Sequence, residues 1–187
     1  MKRSRPPEEV LRRVVKFSRL NGWSVAIFAG LATLGSLAMG DPIGIAVSLL
    51  VTFGGAVEVR GYRMLQRRDT DGLRWLIRSQ LVVLGVIWAY AVSRLLSFDA
   101  GTVREAFTPE MRATLSDLGL SFEDILPLVR QAFYLLYGGV LAVTLLYQGG
   151  LALYYRHCGP AIELALRLPP VVPGVVSPTP PPEDFVI

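Results

Sequence analysis

Residues 23–39, 43–57, 79–93 and 131–155 carry no charged side chain, and no other feature constrains the fold of this chain as tightly. The apolar residues come in blocks, not at the period of a strand or of a surface helix, which is the pattern of segments solvated by lipid. Hydrophobic residues make up 52% of the 187, above the norm for a soluble domain. The expected fold class is therefore all-α: a polytopic integral membrane protein with four transmembrane helices. A cleaved secretory signal is the rival reading of residues 1–40, with Ala38-Met39-Gly40 as its cleavage site. The first run is longer than the apolar region of a signal, and its basic lead-in is also long, so a retained helix is preferred.

About 20 residues are needed to cross the hydrocarbon core at 1.5 Å per residue. That requirement places the spans at about 20–39, 43–62, 75–98 and 128–156, within a transmembrane domain over 20–158. Gly40-Asp41-Pro42 is the turn between the first two, because proline cannot continue the preceding helix. A re-entrant hairpin over these two short runs would leave their outer ends on the same side as two full crossings. Ser121 with Asp124 three residues later reads as a helix N-cap, and Pro127 then falls inside that helix as a predicted kink.

The charges between the runs orient them. Seven basic residues precede the first span, from Lys2 to Arg19, and Arg60, Arg63, Arg67, Arg68, Arg74 and Arg78 fill the second connection. The first turn has no basic residue, and acids outnumber arginines over residues 99–130. The positive-inside rule makes both termini and the middle loop cytoplasmic. Trp23, Trp75, Tyr154 and Tyr155 fall at the inner belt, with Phe98, Phe133 and Tyr134 at the outer one. Lys2 and Lys16 are the only lysines beside many arginines, which suggests a GC-rich bacterial genome and hence a bacterial inner membrane.

With the middle turn centred near residue 68, antiparallel counting sets position 58 against 78 and position 42 against 94. Glu58–Arg78 and Asp41–Arg94 become candidate interhelical ion pairs at the two membrane edges, where a shared site offsets the cost of desolvation. Glu58 also has a reading as part of a proton or ion route, although such relays usually draw on several acids within the core. Small residues at spacing four, Ala32, Ser36 and Gly40, then Ser48, Thr52 and Ala56, then Gly85, Ala89 and Ser93, then Gly138 and Ala142, are candidates for close helix packing or self-association.

Residues 1–19 form a basic amphipathic segment. Pro6, Pro7, Glu8 and Glu9 suit a first helical turn, and Val10, Val14 and Phe17 make an apolar stripe. Arg12, Arg13, Lys16 and Arg19 stand largely off that stripe and are candidate contacts for anionic lipid headgroups. The outer loop, 99–127, should hold a short helix over 109–118, begun by Thr108-Pro109-Glu110 and stopped by Gly119, with Met111, Leu115 and Leu118 over the bundle mouth. A short interfacial helix over 161–168 opens the cytoplasmic tail, 159–187. The tail turns proline-rich from Pro169, with a PxxP spacing at Pro178 and Pro181 suited to a cytoplasmic partner.

Catalytic and cofactor signatures are missing from the sequence. There is no HExxH, GxSxG, P-loop or dinucleotide fingerprint, and His157-Cys158 is the sole His/Cys pair, too few ligands for a closed metal site. A single cysteine makes no intrachain disulfide. The net charge of +4 sits beside apolar runs, which favours lipid over nucleic acid as its partner. The expected role is a non-enzymatic anchor, scaffold or accessory subunit, with a protein partner or a homo-oligomer in the membrane. The alternative is a subunit of a homo-oligomeric channel or transporter. The layout resembles that of many small four-helix bacterial inner-membrane proteins.

Overall fold

Proline opens two of the long helices at a position where its missing N–H costs nothing. In the computed structural model, which describes residues 6–168, α1 spans Pro7–Met39 and α2 spans Pro42–Gln66. Gly40 ends α1 in the left-handed region (φ 65°), and the Asp41 N–H reaches back 2.9 Å to the Ser36 carbonyl. α3 (Asp71–Leu96) follows a tight turn, and α4 (Ala100–Ala106) and α5 (Pro109–Asp117) lie beyond it. α6 (Phe122–Thr144), a π turn (Leu145–Gly149) and α7 (Gly150–Arg167) make one continuous rod. Four of these helical segments are long and apolar enough to cross a membrane, and the described residues contain no strand. The chain has the build of a multi-pass membrane protein.

The helices run further than the expected spans. α1 holds 33 residues, about 50 Å at 1.5 Å each, against a hydrocarbon core of about 30 Å. The basic segment is therefore the lower part of the first spanning helix, not a separate helix lying on the surface. Its inward stripe is Leu11, Val14, Ser18 and Asn21, while Phe17 is largely exposed and meets the Tyr154 ring edge-on. α7 continues through Pro160 to Arg167, so the span expected to end near 156 and the short helix expected over 161–168 are one helix. Burial of Ile162 and Ala165 offsets the hydrogen bond that the proline removes.

These extensions build the core. Leu11 and Val14 of α1, Tyr62 and Leu65 of α2, Leu73 and Leu76 of α3, and Tyr155, Cys158 and Ile162 of α7 form one cluster at the arginine-rich end. Backbones approach closely there: a Cβ on Gly72 would meet the Gly61 carbonyl oxygen at 2.6 Å. Arg68 sits at the turn between α2 and α3 with a positive φ of 62°. Its guanidinium donates to the Ala165 and Leu168 carbonyls at 2.9 and 2.7 Å and pairs with Glu8 at 2.6 Å. One side chain thus fastens both ends of the described chain to the middle turn. Both ends lie at the same end of the bundle, as two helical hairpins require.

The opposite half is looser. α6 packs on α3, with Trp88 Nε1 donating to the Leu141 carbonyl at 3.2 Å, and has at most marginal contact with α1 and α2. An aromatic seam of Phe98, Phe133 and Tyr134 joins the tops of α3 and α6. The Ser121–Asp124 capping box forms as expected, and α6 runs on through Pro127. α5 matches the helix expected over 109–118, but neither it nor α4 buries a side chain. Met111 and Leu118 stay exposed and so do not close the bundle mouth. The Pro178–Pro181 motif lies outside the described residues.

Candidate functional site

Each of the four rods turns a polar residue inward at one level, directly above the apolar cluster. α1 contributes Asn21, α2 Glu58, α3 Ser79 and Gln80, and the last rod Gln148 and Tyr155. Glycine makes the meeting tight. A Cβ on Gly22 would touch the Glu58 Cβ at 3.2 Å, and one on Gly55 would strike the Ala26 backbone nitrogen at 2.8 Å. Glu58 is 2% exposed and Tyr155 fully buried.

Both carboxylate oxygens of Glu58 are engaged. Asn21 Nδ2 donates to one at 2.7 Å and the Tyr155 hydroxyl to the other at 2.9 Å. The Tyr147 hydroxyl donates to Asn21 Oδ1 at 2.6 Å, which fixes the amide so that its NH2 faces Glu58. The Gln80 NH2 faces Glu58 as a further donor and also donates to Ser79 Oγ at 3.2 Å. The carbonyl oxygens of Gln80 and Gln148 are buried and have no donor. Among the described residues no ion pair involves Glu58. A buried carboxylate surrounded by neutral groups is costly unless its hydrogen bonds are made.

Gln148 belongs to the π turn, a local widening that recurs at functional sites. Here the turn directs Gln148 inward while its neighbour Tyr147 reaches across to α1. Asn21, Tyr147 and Gln148 also line one end of an open cleft of about 500 Å³ between the α1–α2 hairpin, α3 and the π turn. Its walls rise past Ala29, Ser48 and Val83 to Ser36, Asp41 and Tyr90. Thr33 donates to Ser48 at 2.9 Å within that wall. The size falls in the range of ligand clefts, about 300–1,000 Å³.

The candidate ion pairs are not those that the helices make. Arg78 turns outward and shares the Trp75 ring with Arg60, their guanidinium carbons 5.8 and 5.0 Å from its centroid. Counting along the hairpin placed residue 78 at the right height. Rotation about α3 instead presents Leu76, Ser79, Gln80 and Val83 to the interior. Arg94 lies over Tyr90, 5.3 Å from its ring, with Asp41 nearby but beyond ion-pair distance. Arg12, Arg13, Lys16 and Arg19 are all exposed, and Arg13 pairs with Glu9 at 2.7 Å.

The small-residue ridges also lie elsewhere than the contacts. Added Cβ atoms on Gly40, Gly85 and Gly138 would meet nothing, and Ala32, Ala89 and Ala142 are exposed. Ser36 and Ser48 are exceptions: Ser36 is close enough to crowd a side chain on Gly44, and buried Ser48 accepts from Thr33 across the α1–α2 contact. The real approaches use Gly22, Gly54, Gly55, Gly61 and Gly72. Asn21, Gln80, Gln148, Tyr147 and Tyr155 were not expected as site residues. Their signal was present: a lone amide within or beside an apolar run is costly unless a partner helix receives it. Comparison with protein-family models, curated proteins and solved structures gives no match, so the functional reading rests on this chain's own geometry.

Proposed function

We propose that this chain is a non-enzymatic anchor or accessory subunit of a membrane complex in a bacterial inner membrane, with its arginine-rich end in the cytoplasm. The supporting observation is the contrast between its two halves. The arginine-rich end is packed and clamped, while the spanning half leaves an open cleft between the α1–α2 hairpin, α3 and the π turn. Almost none of the apolar window of α1 is buried. Faces such as these suit a partner's transmembrane helix, whose side chains would enter the cleft. Arg13 and Lys16 stand at the mouth of an apolar groove lined by Phe17, Leu20, Leu151 and Tyr154, an arrangement suited to an anionic lipid.

Native mass spectrometry of the protein purified from its own membrane in mild detergent tests this reading. The expected result is a stoichiometric foreign subunit that is lost when Val47→Trp fills the cleft. A chain that stays monomeric with or without that substitution would overturn it. The second reading, a homo-oligomeric channel or transporter subunit, draws on the buried Glu58 assembly, which is joined to the cleft through Asn21. A closed ring of identical chains would favour that reading instead.

A further inference from the structure

A second open cleft, of about 710 Å³, follows the seam between α1 and α2 at the arginine-rich end. Arg60, Arg63 and Arg67 of α2 all line it, and their spacing of three and four puts them on one face of the helix. All three are exposed, and among the described residues none pairs with an acid. Arg60 rests 5.0 Å over the Trp75 ring, and Arg63 lies near the Tyr62 hydroxyl. Asp69, which also lines the cleft, accepts the Asp71 N–H at 3.0 Å. Three arginines against one carboxylate leave the lining two positive charges. The rest of the wall is of another kind. Trp23, Ala26 and Ala56 line the same cleft and belong to the charge-free runs. Trp23 is 46% exposed, and an indole so placed suits the level of lipid headgroups.

We propose that this cleft seats a phospholipid carrying two phosphates, of the cardiolipin class, at the membrane boundary. Basic pockets between spanning helices are the usual seat of such headgroups. Arg60 and Arg67 stand seven residues apart, about 10 Å along α2 at 1.5 Å per residue, which is more than one phosphate covers. Two phosphates match the two positive charges, and arginine grips each with paired N–H donors. The acyl chains continue past Trp23, Ala26 and Ala56, where the small alanine side chains leave room. A soluble phosphate would meet only the charged part of the cleft, so the apolar part selects a lipid. The groove at Arg13 and Lys16 is a separate place between α1 and α7, and Arg13 there is already paired with Glu9. The seat requires only a chain that spans a membrane, so it depends on neither reading of the protein's role. Loss of a partner and loss of lipid preference are separate results.

The test is native mass spectrometry of the full chain in mild detergent, titrated with cardiolipin or with phosphatidylglycerol at equal phosphate concentration. Cardiolipin should half-saturate at a concentration at least tenfold lower than phosphatidylglycerol does. Arg63→Gln with Arg67→Gln should remove that preference, and Arg13→Gln with Lys16→Gln should keep it. Asp69→Asn should tighten cardiolipin binding. Two readings need only the wild-type protein, in case a variant fails to fold. Inorganic pyrophosphate should bind at least tenfold more weakly than cardiolipin, and cardiolipin should slow hydrogen exchange over residues 63–70. Equal binding of the two lipids, or a preference kept in full without Arg63 and Arg67, would overturn the proposal. So would pyrophosphate binding as tight as cardiolipin, which would make the cleft an ion site. A preference lost only with Arg13 and Lys16, or exchange unchanged over residues 63–70, would place the lipid elsewhere and overturn it equally.

Discussion

Removing the Arg68 guanidinium should loosen three helices at once, and the structure sets the size of the effect. Its two bonds to the Ala165 and Leu168 carbonyls satisfy acceptors that the last turn of α7 leaves without intrahelical partners. Each is worth about 1 kcal/mol net at this partial exposure. The ion pair with Glu8, whose side chains are 30% and 25% exposed, adds at most about 1 kcal/mol. Arg68→Ala should therefore cost about 2–3 kcal/mol. Arg68→Gly should cost less by up to about 1 kcal/mol, because the φ of 62° strains any side-chain-bearing residue. Glu8→Gln isolates the ion-pair arm and should show the smallest, most salt-sensitive loss. Reversible unfolding in mixed micelles gives these values, and hydrogen exchange over residues 160–168 reports the α7 end directly. A loss under about 0.5 kcal/mol for Arg68→Ala, with unchanged exchange there, would refute the clamp. A glycine variant less stable than the alanine variant would refute the assigned strain.

Glycine contacts give a second test. Gly55→Ala should destabilise by about 1–3 kcal/mol in the same assay, since its Cβ would press on the Ala26 and Gly22 backbone. Gly85→Ala, where nothing lies within reach, should be neutral or slightly stabilising. Acid should act on the loop end of the bundle. The Thr102 N–H and hydroxyl and the Gly101 N–H hold the Asp99 carboxyl below the usual carboxylate range. Because the folded value is the lower one, its contribution is present above the ordinary carboxylate pKa of about 4 and lost as pH falls below it. Hydrogen exchange of residues 100–106 should quicken through that window in the native protein, and Asp99→Asn should abolish the dependence.

Hydropathy and turn chemistry carried the architecture because each is local: charge-free runs, Gly40-Asp41-Pro42 and the Ser121–Asp124 box all act within a few residues. Which face of a helix meets protein is a different matter. A stripe such as Leu11 and Val14 is apolar whether lipid or another helix covers it, so the basic segment read as a surface helix although it belongs to the core. Glu58 was legible as an unusual acid, but its partners depended on helix rotation. A shift of one residue, from Arg78 to Ser79, turns by about 100° and exchanges a cation outside for a hydroxyl inside. Small-residue spacing failed similarly, since Gly85 and Gly55 look alike in sequence and only Gly55 abuts a backbone. α4 depends on a single capping residue, Asp99, in a segment with no apolar period to reveal it.

The Arg68 clamp has a consequence for how the protein is made. Glu8 lies 60 positions before Arg68, and the Leu168 carbonyl lies 100 after it. At elongation speeds of about 5–20 residues per second, the ribosome needs roughly 5–20 s to supply that final stretch. Through that interval the first hairpin already has Asn21 beside Glu58, yet the phenol groups that complete the site have still to be translated. Nascent chains paused before residue 147 should therefore be the species most dependent on insertase or chaperone cover.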